Sequence, residues 1–254
     1  MAEPRIYSRN WLDANSVFTS THGGVTSLLY DRSSAVQFST TGANSDATAF
    51  ELTIEFYEGG VSQTRTIDTL FLLNHNLKTW TFYRWDGSAW QSVTNQASDA
   101  TTSRYAGVTQ FSATKVKISA TATMTTNQEK TIGEIIICGV ALAAEDLASY
   151  DTKWREKTKE IVLGDGAIHR VITRAVSGRN GRYEARCRWS YLTKAQRDNL
   201  KAIKEAGQPF LWQPESVNVP EDVYYVHWAN TWDDKYMSNY KGAGYEVVMD
   251  LKEV

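Results

Sequence analysis

One helix, delimited at both ends and set between two strand-forming stretches, constrains this chain more than any other feature. Thr193-Lys194-Ala195-Gln196 has the spacing of a capping box, in which the threonine hydroxyl and the glutamine amide satisfy each other's backbone donors. Leu200 and Ile203 then supply an apolar stripe, Gly207 suits a left-handed stop, and Pro209 blocks continuation. Before the helix, Tyr183 to Trp189 alternates in character as a strand; after it, Phe210-Leu211-Trp212 restarts the chain in extended form. The unit reads as packing, with a helix over about 193–206, and not as a reaction centre.

The order of these residues, above all Trp189-Ser190-Tyr191-Leu192-Thr193 and Gly207-Gln208-Pro209-Phe210-Leu211-Trp212, resembles the tail-tip proteins of long-tailed bacteriophages, of the distal tail protein type. That resemblance implies a structural subunit, resident in the virion tail and made in a host cytoplasm. It also implies a tail-tube-like split β-barrel for the second half. The partners it implies are copies of the chain in a ring of six, the tail tube above, and baseplate hub or fibre proteins below. It implies no enzymatic activity.

The first half reads as strand after strand. Phe50, Leu52, Ile54 and Phe56 alternate with Glu51, Thr53, Glu55 and Tyr57, the period of a sheet wet on one face. Ile67 to Leu73 is a nearly continuous apolar run, and Asp86-Gly87 marks a turn between strands at Thr79–Trp85 and Ala89-Trp90. Further strands are expected at Lys115–Ala120 and Ile132–Val140. Short strands separated by Ser, Thr, Asn and Gly suggest a β-sandwich. The stretch Leu70-Phe71-Leu72-Leu73-Asn74-His75-Asn76-Leu77 is similar to the discoidin or galactose-binding-like jelly roll, over roughly residues 10–142. The expected organisation is mainly β: a jelly-roll sandwich over 1–145, a charged connector over 146–158, and the tail-tube-like domain over 159–254.

Composition narrows the partners. A chain of 254 residues with 42% hydrophobic and 22% charged side chains is globular. Its net charge of −2 gives no general attraction to nucleic acid, whose binding rests on clustered Lys and Arg. The halves differ mildly, with net −4 over 1–150 and +2 over 151–254. No stretch approaches the roughly 20 apolar residues that cross a bilayer, and the start shows no apolar signal core. Cys138 and Cys187 each lie on an expected strand and read as buried thiols, with a disulfide or a reactive role as alternatives.

Candidate chemistry is sparse. His22, His75, His169 and His227 are far apart, with no metal-ligand spacing, so neither metal nor cofactor is expected. Asn74, His75 and Asn76 can present three polar groups to a sugar hydroxyl, or stabilise their own loop. Trp80 and Trp85, with Tyr83 and Trp90, cluster around one hairpin, where aromatic rings fill a core, anchor a subunit contact or stack on a glycan. Trp232, Tyr236 and Tyr240 lie in a loop suited to a subunit interface or to folding onto its own domain. Arg186 and Arg188 should project on one side of a strand and bridge carboxylates across such an interface. A ring subunit is the first expectation, and a glycan-binding protein using Asn74, His75, Asn76, Trp80 and Trp85 is the alternative.

Overall fold

The computed structural model describes residues 4–7, 9–33, 36–143, 147–155, 157–162, 168–173, 182–239 and 242–254. The chain divides into two compact units, Asn10–Gly139 and a second made of Met1–Arg9 with Val140–Val254. It is mainly β, with antiparallel strand pairs throughout and one α-helix among the described residues.

The Asn10–Gly139 unit is a β-sandwich of the jelly-roll kind. One sheet runs Arg104–Ala113, Arg65–His75, Thr131–Cys138, Phe38–Ser39; the facing sheet runs Val17–Ser20, Phe50–Glu55, Lys115–Ala120, Trp80–Trp85, Trp90–Gln96. The alternation read from residues 50–55 is realised: Phe50, Leu52 and Ile54 are fully buried while Glu51, Thr53 and Glu55 are half-exposed. Leu52 stands opposite Ile118, which stands opposite Phe82, so each row across the sheet delivers apolar groups to one core. The apolar run at 67–73 is a strand buried on both faces, with Leu70 and Leu72 in the sandwich core and Phe71 on the other side beside Tyr105. Where Phe38–Ser39 stops covering Thr131–Cys138, the Asn10 side chain takes its place. Its amide donates to Ile135 O at 2.9 Å and accepts from Ile137 N at 2.9 Å.

In the second unit the sheet order is Val140–Ala143, Arg5–Tyr7, Phe210–Gln213, Tyr224–Trp228, Gly242–Glu253, Arg182–Leu192, Leu147–Arg155, with Asp234–Asn239 paired to Gly242–Glu253 off this path. Among the described strands this path is open, where a split barrel was expected. A separate hairpin pairs Lys157–Val162 with Ile168–Thr173. Two expectations about organisation change. The charged stretch assigned to a connector over 146–158 is largely strand, Leu147–Arg155 and the start of Lys157–Val162, the first of these paired antiparallel with Arg182–Leu192 so that Asp151 stands opposite Arg186 in register. The first nine residues group with the second unit, since Arg5–Tyr7 fills the gap between Val140–Ala143 and Phe210–Gln213.

The helix runs Lys194–Ala206 with both halves of the capping box formed: Thr193 Oγ1 accepts from Gln196 N at 3.2 Å, and Gln196 Oε1 accepts from Thr193 N at 2.8 Å. Gly207 takes φ 62° and donates its N–H to Lys204 O. Leu200 is buried, and Ile203 packs at the edge of a core holding Trp189, Trp212, Val226, Val247 and Met249. Tyr191, at φ 65°, bulges the strand leading into the helix, and its backbone presses on Gly244 so closely that a Cβ there would lie 2.5 Å from the Tyr191 carbonyl carbon.

Candidate functional site

At the end of the strand Arg65–His75, Asn74 adopts φ 49°, a left-handed conformation that asparagine tolerates better than most residues. The turn is held by local bonds: Ser103 Oγ accepts from Asn74 N at 3.1 Å, Thr102 O accepts from His75 N at 2.7 Å, and Gln37 Nε2 donates to Asn74 O at 2.7 Å. The result is an open polar depression of about 530 Å³. Six of its lining side chains are amides: Gln37, Asn44, Asn74, Asn76, Asn127 and Gln128.

The three residues singled out in the sequence play unequal parts here. Asn76 is committed to the fold, its Nδ2 donating to Glu129 O and its Oδ1 accepting from Thr131 N, both at 2.8 Å. His75 is buried at 2% exposure. Its Nδ1 accepts from Leu77 N at 3.1 Å, which places the proton of the neutral ring on Nε2, 3.9 Å from Asp99 Oδ2. Burial drives the His75 pKa down to about 4 against the opposing pull of Asp99, so the ring is neutral near pH 7. Burial by itself would raise Asp99, but bonds from Thr101 and Trp80 and the charge of Arg104 hold it below the usual carboxylate range. His75 and Asn76 therefore stabilise the loop, the bland alternative that the sequence left open.

The walls come from residues the sequence did not single out, and one buried cation with two carboxylates braces them. Lys130 is fully buried, and its Nζ donates to Ala43 O at 2.5 Å, Ser45 O at 2.8 Å and Thr48 O at 3.1 Å. Two carboxylates complete the frame. Glu129 accepts from Thr40 Oγ1 at 2.6 Å, Gly42 N at 2.8 Å and Ala43 N at 3.1 Å. Asp46 accepts from Thr123 Oγ1 and from Asn127 N, both at 3.1 Å, while Asn127 Oδ1 accepts from Asp46 N at 3.0 Å. These bonds keep both carboxylates ionised to lower pH than usual. Asn44 and Gln128, both exposed, are thus carried on braced loops. The only sequence signal for this wall was the polar run Thr125–Glu129, which looks like many surface loops.

The two tryptophans proposed for one glycan contact separate. Trp80 is core, 1% exposed, with its Nε1 donating to Asp99 at 3.1 Å. Trp85 lies five residues on, on the opposite face of the strand, half-buried and edge-on to Trp90 with ring centres 5.3 Å apart. In the second unit, Arg186 and Arg188 do lie on one exposed face, but they pair with Asp250 at 3.6 Å and Glu246 at 2.6 Å of the same chain. Trp232 packs against its own core, its ring centre 5.4 Å from that of Trp228. Tyr236 is 61% exposed, and Tyr240 lies outside the described residues. Cys138 and Cys187 are buried free thiols whose pKa values are pushed up by burial. Among the described residues no group of His, Cys, Asp or Glu has the arrangement of a metal site.

No family model matches this chain, and no curated protein matches it. Among solved structures it is similar to a Clostridium perfringens module in complex with GalNAc-β-1,3-galactose, at 16% identity over 49% of this chain and 96% of that one, with a TM-score of 0.41. It is similar to the family 32 carbohydrate-binding module of C. perfringens NanJ in complex with galactose, at 12% identity over 54% and 99%, TM-score 0.43. A third is chitosan-binding module 1 from a Paenibacillus sp. IK-5 chitosanase/glucanase, at 15% identity over 52% and 99%, TM-score 0.42. Likenesses this distant carry no argument about function, which rests on the geometry of the site.

Proposed function

We propose that this chain is a binding protein that recognises saccharide through the Asn10–Gly139 unit and transforms nothing. The observation that carries this reading is the amide-lined depression with Asn44 and Gln128 exposed on loops braced by Lys130. Amides offer a donor and an acceptor on one planar group, the pairing that adjacent sugar hydroxyls require, and a braced wall reduces the ordering cost of binding. A glycan array probed with the full chain tests it. Reproducible binding to defined saccharides, weakened at least about fivefold in an Asn44→Ala/Gln128→Ala double variant of unchanged thermal stability, supports the reading. An array without signal refutes it.

A second reading, a subunit of a phage tail-tip ring located in the virion, is favoured by the second unit. One capped helix accompanies antiparallel strands, as the resemblance implies, and Tyr236 stands exposed on the strand Asp234–Asn239. Both readings hold together if the ring displays the sandwich units. Electron microscopy of the chain mixed with its neighbouring gene products decides the second: rings of uniform diameter support it, and monomers in every mixture refute it.

A further inference from the structure

We infer that the outer face of the five-stranded sheet is a second binding surface, separate from the amide-lined depression, and that it takes an acidic polysaccharide. Tyr83, Trp85 and Trp90 lie on this face, on the two strands Trp80–Trp85 and Trp90–Gln96, with Trp85 directly opposite Trp90. The neighbouring strand brings two ammonium groups onto the rings. Lys115 Nζ lies 4.6 Å from the Trp85 ring centre and 5.9 Å from that of Trp90, and Lys117 Nζ lies 5.1 Å from both Tyr83 and Trp90.

The two lysines are in different electrostatic states. Lys117 is neutralised by Glu51, 2.9 Å away. Lys115 has no carboxylate partner among the described residues, although Glu55 stands opposite it in register. Among the described residues its ammonium meets the two indoles. A cation resting on aromatic faces and lacking a counter-charge is a place for an anion delivered by a group that also packs on the rings. A uronic acid residue meets both requirements: its pyranose C–H face packs on an indole and its carboxylate reaches an ammonium. The exposed Glu51 carboxylate, at 42% side-chain exposure, is an acceptor for hydroxyls of the adjoining sugar.

Single-stranded nucleic acid is the other polyanion that stacks on aromatic rings. It fits this surface less well, because its affinity comes from neutralising several phosphates, and here one unpaired ammonium lies among Glu51 and Glu55. The inference extends saccharide recognition to a new surface, and it is tested apart from the depression.

The experiment is titration of the full chain with an oligogalacturonate and with its methyl ester, followed by tryptophan fluorescence and calorimetry. The acid should bind more tightly than the ester. Lys115→Gln should weaken the acid about three- to fivefold and leave the ester unchanged, the size of an exposed charge pair. Trp90→Ala should weaken both by about tenfold, and Asn44→Ala/Gln128→Ala should change neither. If Trp90→Ala does not fold, the Lys115→Gln comparison decides alone. The inference is overturned by absence of binding, by equal affinity for acid and ester, or by insensitivity to Lys115→Gln. It is also overturned by loss in the Asn44/Gln128 variant, or by tighter binding of a single-stranded oligonucleotide of equal charge. Loss in that variant alone would assign the acid to the depression and leave the first reading standing.

Discussion

The Asn10–Gly139 unit closes three backbone carbonyls around one buried lysine, whereas in the second unit Arg186 and Arg188 pair with carboxylates on an exposed sheet face. Lys130, fully buried on three carbonyls, ties the segment 40–48 to the segment 123–130. Arg188, at 54% side-chain exposure, meets Glu246 at the short distance of 2.6 Å, yet water competes for the guanidinium. The difference teaches that distance alone does not rank ionic contacts here. A buried cation whose removal strands its acceptors has large consequences, and a pair at comparable distance with its cation in water has small ones.

The largest expected effect tests the internal charge. Lys130→Met leaves the carbonyls of Ala43, Ser45 and Thr48 without their donor, and should destabilise the unit by about 3–5 kcal/mol, read from the denaturant midpoint of the full chain. A loss below about 1 kcal/mol would mean the loops hold without the ammonium and would remove the contrast.

Next in size is a pH effect on the same unit. The His75 pKa is about 4 in the folded chain against 6.5 as the ordinary value. Between these values the unfolded chain binds the proton and the folded chain does not, so stability is fully present above about pH 6.5 and falls as pH drops toward 4. The span corresponds to about 3 kcal/mol. Measured against pH, the wild-type slope should flatten in His75→Gln. An unchanged slope would show that another group titrates there.

The smallest effect is expected on the exposed face. Arg188→Ala should shift stability by less than about 0.5 kcal/mol, checked by the same denaturation. A shift above about 2 kcal/mol would show that this face is covered, and would direct attention to Arg186 and Arg188 as interface residues after all.

Legibility from sequence followed the range of the forces involved. The helix was readable nearly to the residue because Thr193, Gln196 and Gly207 act on backbone groups within one turn of themselves. The strand Phe50–Glu55 was readable because alternation is a local consequence of the pleat. Trp80 and Trp85 show where reading stopped short. Their spacing already implied opposite faces, yet only the packed sandwich showed that Trp80 faces the core and Asp99 while Trp85 meets Trp90 and Lys115. Asn74-His75-Asn76 drew attention to the correct end of the sheet, but two of the three serve the loop, and the exposed amides come from segments more than 29 residues away in either direction.

Local spacing of polar, apolar, capping and turn residues was enough to establish a β-rich chain, its helix and the strands of the sandwich, because hydrogen bonding and side-chain alternation act over a few residues. Pairings between distant segments were settled only in three dimensions. Arg5–Tyr7 joins strands at 140–143 and 210–213, the charged stretch Leu147–Arg155 becomes a strand beside Arg182–Leu192, and Lys130 meets carbonyls more than 80 residues away. Burial and desolvation are properties of what surrounds a group after folding, so a lysine following a glutamate reads as surface until the carbonyls that close around it are known.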